Sequence, residues 1–128
     1  MKKIGLNGTI FSSRGEGKKF LEMSWVKQQI KQKLGFTPYP GTLNVRLSEE
    51  SVKHKKLLEK ANSTKIHPAD GYYSGILIKA FMGTLECAIV VPEVAGYPKE
   101  ILEIIAPVNL REALQLKDGD KVTVTVNL

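Results

Sequence analysis

Thr42 and Asn44 stand two residues apart in the stretch Tyr39-Pro40-Gly41-Thr42-Leu43-Asn44-Val45-Arg46-Leu47. Residues two apart in an extended segment share a face, so a hydroxyl oxygen and a carboxamide oxygen lie side by side. Two neutral oxygens suit a hard cation such as Mg²⁺, with phosphates and water completing its shell. A polar strand face following a turn accounts for the same residues. A second stretch, Ser12-Ser13-Arg14-Gly15-Glu16-Gly17-Lys18-Lys19-Phe20, sets two glycines one residue apart among basic side chains. Backbone N–H groups of such a loop can face a phosphate, with no Cβ to block the approach. Its composition is also that of many surface loops, and it lacks the Gly-Lys-Ser/Thr of a Walker loop. A third candidate is Glu103, in Ile101-Leu102-Glu103-Ile104-Ile105. A carboxylate among large aliphatics must be paired, hydrogen-bonded or raised in pKa. Such a residue belongs either to a site or to a structural ion pair with a buried lysine or arginine.

These residues need elements to hold them. Ile4, Leu6 and Ile10 share one parity over residues 3–11 and predict a half-buried first strand, leading into a 12–20 loop. Val26, Ile30 and Leu34 recur at helical spacing, with Ser24 as N-cap and Gly35 at the C-terminal glycine position. Trp25 reads as a packing residue or as a wall for an aromatic ligand. Pro38 and Pro40 stop the helix before a strand that begins at Thr42; there Asn44 reads as exposed. Residues 48–62 predict a short polar helix and residues 62–73 a loop. Two apolar runs, 74–82 and 84–91, separated by Gly83, predict a largely buried hairpin that Pro92 ends. Cys87 inside it reads as an inert buried thiol. Residues 93–99 are turn-rich and suit a flap. Ile101 to Ile105 predict a strand with Glu103 on the Ile101 and Ile105 face. Asn109 reads as an N-cap three residues before Glu112. Lys117-Asp118-Gly119-Asp120 is a tight turn before the alternating strand 121–128. Five or six strands with few, short helices predict a mainly β protein built on a small closed barrel.

At 128 residues the chain fits one domain, 1–128. One cysteine excludes an internal disulfide and suits a reducing cytoplasm. No segment reads as a signal peptide or a membrane span. The formal net charge of +6 suits a polyanionic partner such as a nucleotide triphosphate or nucleic acid. The basic residues are scattered, and the run Lys53-His54-Lys55-Lys56 reads as a solvated helix face, which argues against a nucleic-acid patch. His54 and His67 have no Cys, Asp or Glu at zinc-ligand spacing.

Taken together, Arg-Gly-Glu-Gly-Lys (14–18), Gly-Thr-Leu-Asn (41–44), Ile-Val-Val-Pro (89–92), Glu-Ile-Ile-Ala-Pro (103–107), Leu-Arg-Glu (110–112) and Leu-Lys-Asp-Gly-Asp (116–120) resemble the archaeal CTP-dependent riboflavin kinases, in order and over nearly the whole chain. The resemblance implies a six-stranded cradle-loop barrel; the additional N-terminal helix-turn-helix domain of some family members is not expected here. It implies transfer of the γ-phosphate of CTP to the 5′-hydroxyl of riboflavin, giving FMN and CDP, with one divalent cation, Mg²⁺; a monomer is expected. Arg14, Gly15, Glu16, Gly17, Lys18 and Lys19 would hold the nucleotide phosphates. Val108, Asn109, Leu110 and Arg111 would contact the cytidine nucleotide, and Thr42 and Asn44 the metal. Glu103 would lie at the flavin and position or deprotonate its hydroxyl. The chain departs from the family pattern at Ala95, where a flap threonine touches the flavin phosphate; neighbouring Tyr97 is the candidate replacement. The rival reading is a non-catalytic barrel, either a DNA-binding or regulatory swapped-hairpin type or a small-molecule binding module.

Overall fold

A computed structural model describes residues 2–13, 16–67, 69 and 71–128, apart from the side chain of Glu16. Arg14 and Gly15 therefore lie outside the described residues. The seven strands among these residues are β1 (Lys3–Phe11), β2 (Leu43–Leu47), β3 (Ser63–Ile66), β4 (Gly75–Met82), β5 (Leu85–Pro92), β6 (Ile101–Ile105) and β7 (Lys121–Asn127). They pair antiparallel in the order β3-β4-β5-β6-β2-β1-β7, and β4 pairs again with β7. That second pairing, Phe81 opposite Thr125, closes six strands into a barrel. Closure leaves those strands without a bare edge, the hazard of an open sheet.

β3 is a seventh strand that the sequence reading had placed in a loop. It takes the first half of the β4 edge, from Ile66 opposite Gly75 to Ser63 opposite Ile78, and β7 takes the end. Its outer side is tied by two side chains. The Gln29 carboxamide donates to the His67 carbonyl at 2.9 Å and accepts from the His67 N–H at 2.8 Å. Lys33 donates to the Lys65 carbonyl.

Strand alternation builds two cores. Leu6, Ile10, Leu43, Val45, Ile78, Ile89, Leu102, Ile104, Val124 and Val126 are buried together inside the barrel. Outside it, Ile66, Leu77, Ala88, Val90 and Ile105 form an apolar patch of sheet. Helices α1 (Glu16–Glu22) and α2 (Ser24–Leu34) cover that patch with Leu21, Val26, Ile30 and Leu34. Each fully buried aliphatic side chain is worth about 1.5–3 kcal/mol, so α2 is held by packing. Gly35 ends α2 at φ 82°, its N–H donating to the Lys31 carbonyl.

Two local expectations change here. Residues 16–22 are helical where a loop was expected, so Glu16 to Lys19 of the expected phosphate loop lie in the first turn of a helix. The N-cap position of α2 belongs to Met23, which makes no side-chain cap, and Ser24 is already helical. The cause is proximity: α1 ends at Glu22, and only Met23 separates the two helices.

The expected 48–62 helix is α3 (Glu49–His54) running into a 3₁₀ helix, Lys55–Lys60. Ser48 caps α3 by accepting from the Ser51 N–H at 3.2 Å. Asn109 caps α4 (Leu110–Ala113), accepting from the Glu112 N–H at 3.3 Å. Gly8 lies where β1 meets β2; a Cβ there would stand 2.5 Å from the Arg46 carbonyl oxygen. Cys87 is fully buried, and desolvation, helped by nearby Glu86, pushes its thiol up to about 12. No described helix is long and apolar enough to cross a membrane.

Candidate functional site

The outward faces of β2 and β6 bring the sequence candidates together. Leu43 and Val45 point into the barrel, so Asn44 points out, with Thr42 just before the strand. The β2–β6 register sets Asn44 opposite Glu103, and the β5–β6 register sets Val90 on the other side of Glu103. Thr42 Oγ1 is 3.5 Å from Asn44 Oδ1 and 3.3 Å from Glu103 Oε1. The Asn44 amide nitrogen donates to Ser13 Oγ at 3.1 Å and to the Thr42 carbonyl at 3.4 Å, which leaves Oδ1 toward Thr42. Asn44 is 7% exposed rather than the open ligand anticipated, because the end of β1 covers it.

Glu103 meets hydroxyls. Tyr97 donates to its Oε2 at 2.5 Å, and Thr42 reaches Oε1. Neither ion pair recorded among the described residues involves Glu103. Burial, with the hydrogen bond to Glu103 behind it, pushes the Tyr97 hydroxyl well above the usual tyrosine range. That hydroxyl is therefore a donor at any ordinary pH.

The flap that carries Tyr97 is fastened at both ends. At its start Glu93 accepts from Ser74 Oγ at 2.7 Å and pairs with Lys65 at 3.1 Å. Those contacts, the Ser74 bond first, hold its carboxyl below the usual range. At its end Lys55 donates to the Lys99 and Ile101 carbonyls, both at 3.1 Å. Burial lowers the Lys55 pKa, and Glu100 opposes that. Ala95 in the same flap is exposed.

Two adjoining clefts of about 190 Å³ each open beside this cluster. Ser12, Ser13, Lys18, Thr42, Asn44 and Arg111 line one of them. Tyr39, Thr42, Val108, Asn109, Leu110 and Arg111 line much of the other. Tyr39 joins the two sides: its N–H donates to the Ala106 carbonyl at 2.8 Å, and its hydroxyl accepts from the Asn109 amide at 3.3 Å. Arg111 Nη2 donates to Asp118 at 2.8 Å, to the Phe11 carbonyl at 3.3 Å and to Ser12 Oγ at 3.4 Å. Asp118 is held below the usual carboxyl range, first by Arg111 and then by Ser12.

Lys18, Thr42, Asn44 and the 108–111 turn thus meet along these clefts, and Tyr97 meets Glu103 next to Thr42. Lys19 is exposed and lines neither cleft. Ser13, Tyr39 and Asp118 were not singled out from the sequence. Ser13 and Asp118 act on partners 31 and 7 residues away, and no local spacing signals them.

The donor set fits a hard divalent cation. Oxygens predominate, the two nearest are neutral, and Asn44 has its amide hydrogens turned away. No described cluster of three His, Cys, Asp or Glu side chains could hold a metal by itself. A cation at Thr42 and Asn44 would therefore share its shell with phosphate or water.

Fold and site together define a closed antiparallel barrel with, on its outer face, a cleft lined by Lys18, Thr42, Asn44 and Arg111. The family model for CTP-dependent riboflavin kinases, described as a domain of unknown function, DUF120, matches residues 10–126, and the chain belongs to that family. It is 41% identical over 132 residues to a riboflavin kinase of Pyrobaculum islandicum, covering 98% of this chain and 61% of the relative. It is 40% identical over 129 residues to riboflavin kinases of Ignicoccus hospitalis and Archaeoglobus fulgidus, covering 72% and 55% of their lengths. The chain thus spans little more than half of two of these three relatives.

Proposed function

We propose that this barrel is a CTP-dependent riboflavin kinase, transferring the γ-phosphoryl group of CTP to the 5′-hydroxyl of riboflavin. The bond from the γ-phosphorus to the β-bridging oxygen breaks, a bond to the riboflavin oxygen forms, and the hydroxyl proton leaves. FMN and CDP result. The family name and the relatives' names support the activity and the nucleotide. The observation that carries the reading is the convergence of Thr42 Oγ1, Asn44 Oδ1 and Glu103 Oε1 beside a cleft lined by Lys18 and Arg111.

Phosphoryl transfer of this kind depends on positioning and charge neutralisation more than on covalent help. Thr42 and Asn44 would hold a divalent cation, Mg²⁺ in this reading, which supplies charge neutralisation at the phosphates when bound. Lys18 supplies a mobile positive charge on the same cleft. Arg111 is anchored by Asp118 and keeps its remaining donors for the nucleotide. Val108, Asn109 and Leu110 border the neighbouring cleft, where a cytosine ring would meet backbone groups. Glu103 accepts the riboflavin 5′-hydroxyl and orients it, and Tyr97 takes the flap contact that Ala95 lacks. A loose transition state asks little of a base, so the role of Glu103 is orientation.

The test incubates purified protein and riboflavin with each of the four nucleoside triphosphates, with Mg²⁺ and with EDTA, and separates flavins by chromatography. FMN should form with CTP and Mg²⁺ and fail to form with EDTA. Folded protein that yields no FMN with any nucleotide or divalent metal would leave a binding barrel instead.

A further inference from the structure

The Thr42 hydroxyl has one proton and two acceptors within reach. Asn44 Oδ1 lies at 3.5 Å and Glu103 Oε1 at 3.3 Å. If Thr42 and Asn44 both turn their oxygens to a cation, the proton cannot lie between them, because that is the space the cation occupies. Glu103 is the acceptor that remains. Tyr97, donating to Oε2 at 2.5 Å, holds the Glu103 side chain so that Oε1 stays toward Thr42. Asn44 is prepared in the same manner, its amide hydrogens drawn off by Ser13 and the Thr42 carbonyl.

We propose that Glu103, besides facing the flavin, is a positioning residue of the cation–nucleotide site, accepting the hydrogen bond of the Thr42 hydroxyl so that the Thr42 lone pairs face the metal. The proposal rests on the cation reading of Thr42 and Asn44. It makes Glu103 the side chain through which the nucleotide half of the site and the flap half are joined. Partners of this outer kind orient metal ligands, and removing one typically costs 10- to 100-fold in metal affinity.

Two substitutions separate the hydrogen bond from the charge. Glu103→Gln removes the charge but keeps an oxygen in place for Thr42, with its amide group turned to the Tyr97 oxygen. Glu103→Asp keeps the charge and withdraws it by one C–C bond, about 1.5 Å, beyond hydrogen-bond reach of Thr42. Mn²⁺ is the probe, its free concentration followed by electron paramagnetic resonance in the presence of CDP. Glu103→Asp should weaken Mn²⁺ binding by about 10-fold or more, whereas Glu103→Gln stays within about 3-fold of the unsubstituted chain. CDP binding without metal should be the same in all three. Equal binding by Glu103→Asp and the unsubstituted chain, or a loss in Glu103→Gln as large as in Glu103→Asp, overturns the proposal while the cation site stands. Failure of the unsubstituted chain to take up Mn²⁺ with CDP overturns the proposal and the cation reading together.

Discussion

The barrel's outer surface is used in two ways on neighbouring strands. Across β4, β5 and the end of β6, the outward residues Leu77, Ala88, Val90 and Ile105 are apolar and lie under α1 and α2. One register step away, on β2 and β6, the outward residues are Asn44 and Glu103, joined by Thr42. Val90 and Asn44 flank Glu103 on its two sides, so the change from covered to polar falls at that residue. The apolar patch gains its free energy from excluded water, and the polar patch holds its groups by directed hydrogen bonds. Alike in backbone, the two regions should therefore fail differently when altered: one in stability, the other in binding and rate.

The largest effect belongs to the covered side. Ile30 is fully buried between α2 and the sheet, and Ile30→Ala should cost about 2–5 kcal/mol in denaturant unfolding. Turnover measured well below the melting transition should be nearly normal. A loss of turnover with unchanged stability would mean that α2 belongs to the site.

Glu103→Gln should show the reverse. A hydrogen bond to a charged group is worth about 1.5–3 kcal/mol, so kcat/KM for riboflavin should fall by ~10- to 100-fold. The melting temperature should stay nearly constant. A large drop in melting temperature with normal kinetics in the cold would place Glu103 with the covered region.

The smallest effect lies at Asp118, where the pair with Arg111 is open to solvent. Asp118→Asn should raise KM for CTP by ~5-fold at most and leave KM for riboflavin alone. The sign of its pH dependence follows from its lowered pKa. The interaction is complete above the ordinary aspartate value and is lost only as pH falls through the lower folded value, so titration of Asp118 should give CTP binding no pH dependence near neutrality. A CTP affinity that changes near neutral pH in the unsubstituted chain, and not in Asp118→Asn, would contradict this.

The division between the two regions was partly legible in the sequence. Alternation placed β1, β2 and β7, and apolar runs bounded by turn residues placed β4 to β6; alternation also put Thr42 and Asn44 on one face, because that pattern is local. A carboxylate between two aliphatic pairs marked Glu103 for the same reason. What it touches was not legible: the Tyr97 contact depends on the course of a turn, and the Thr42 contact on pairing across 61 residues. Ser63-Thr64-Lys65-Ile66 has one buried apolar residue, so β3 gives no periodic signal; β4 and the Gln29 carboxamide hold it in place. α1 was read as part of a loop because Gly17, Lys18 and Lys19 fill its first half, while the residue that docks it, Leu21, comes near its end.

The central claim is that the polar patch on β2 and β6 is where the reaction occurs, and Asn44→Leu tests it most directly. Leucine has the same branched side-chain skeleton as asparagine and would extend the apolar layer, so the fold should survive, as circular dichroism can verify. With the folded fraction matched to the unsubstituted chain, FMN formation from CTP and riboflavin should fall by ~100-fold or more, since a bound metal's charge stabilisation is worth several kcal/mol. Near-normal FMN formation by folded Asn44→Leu would contradict the account and move the site elsewhere on the barrel.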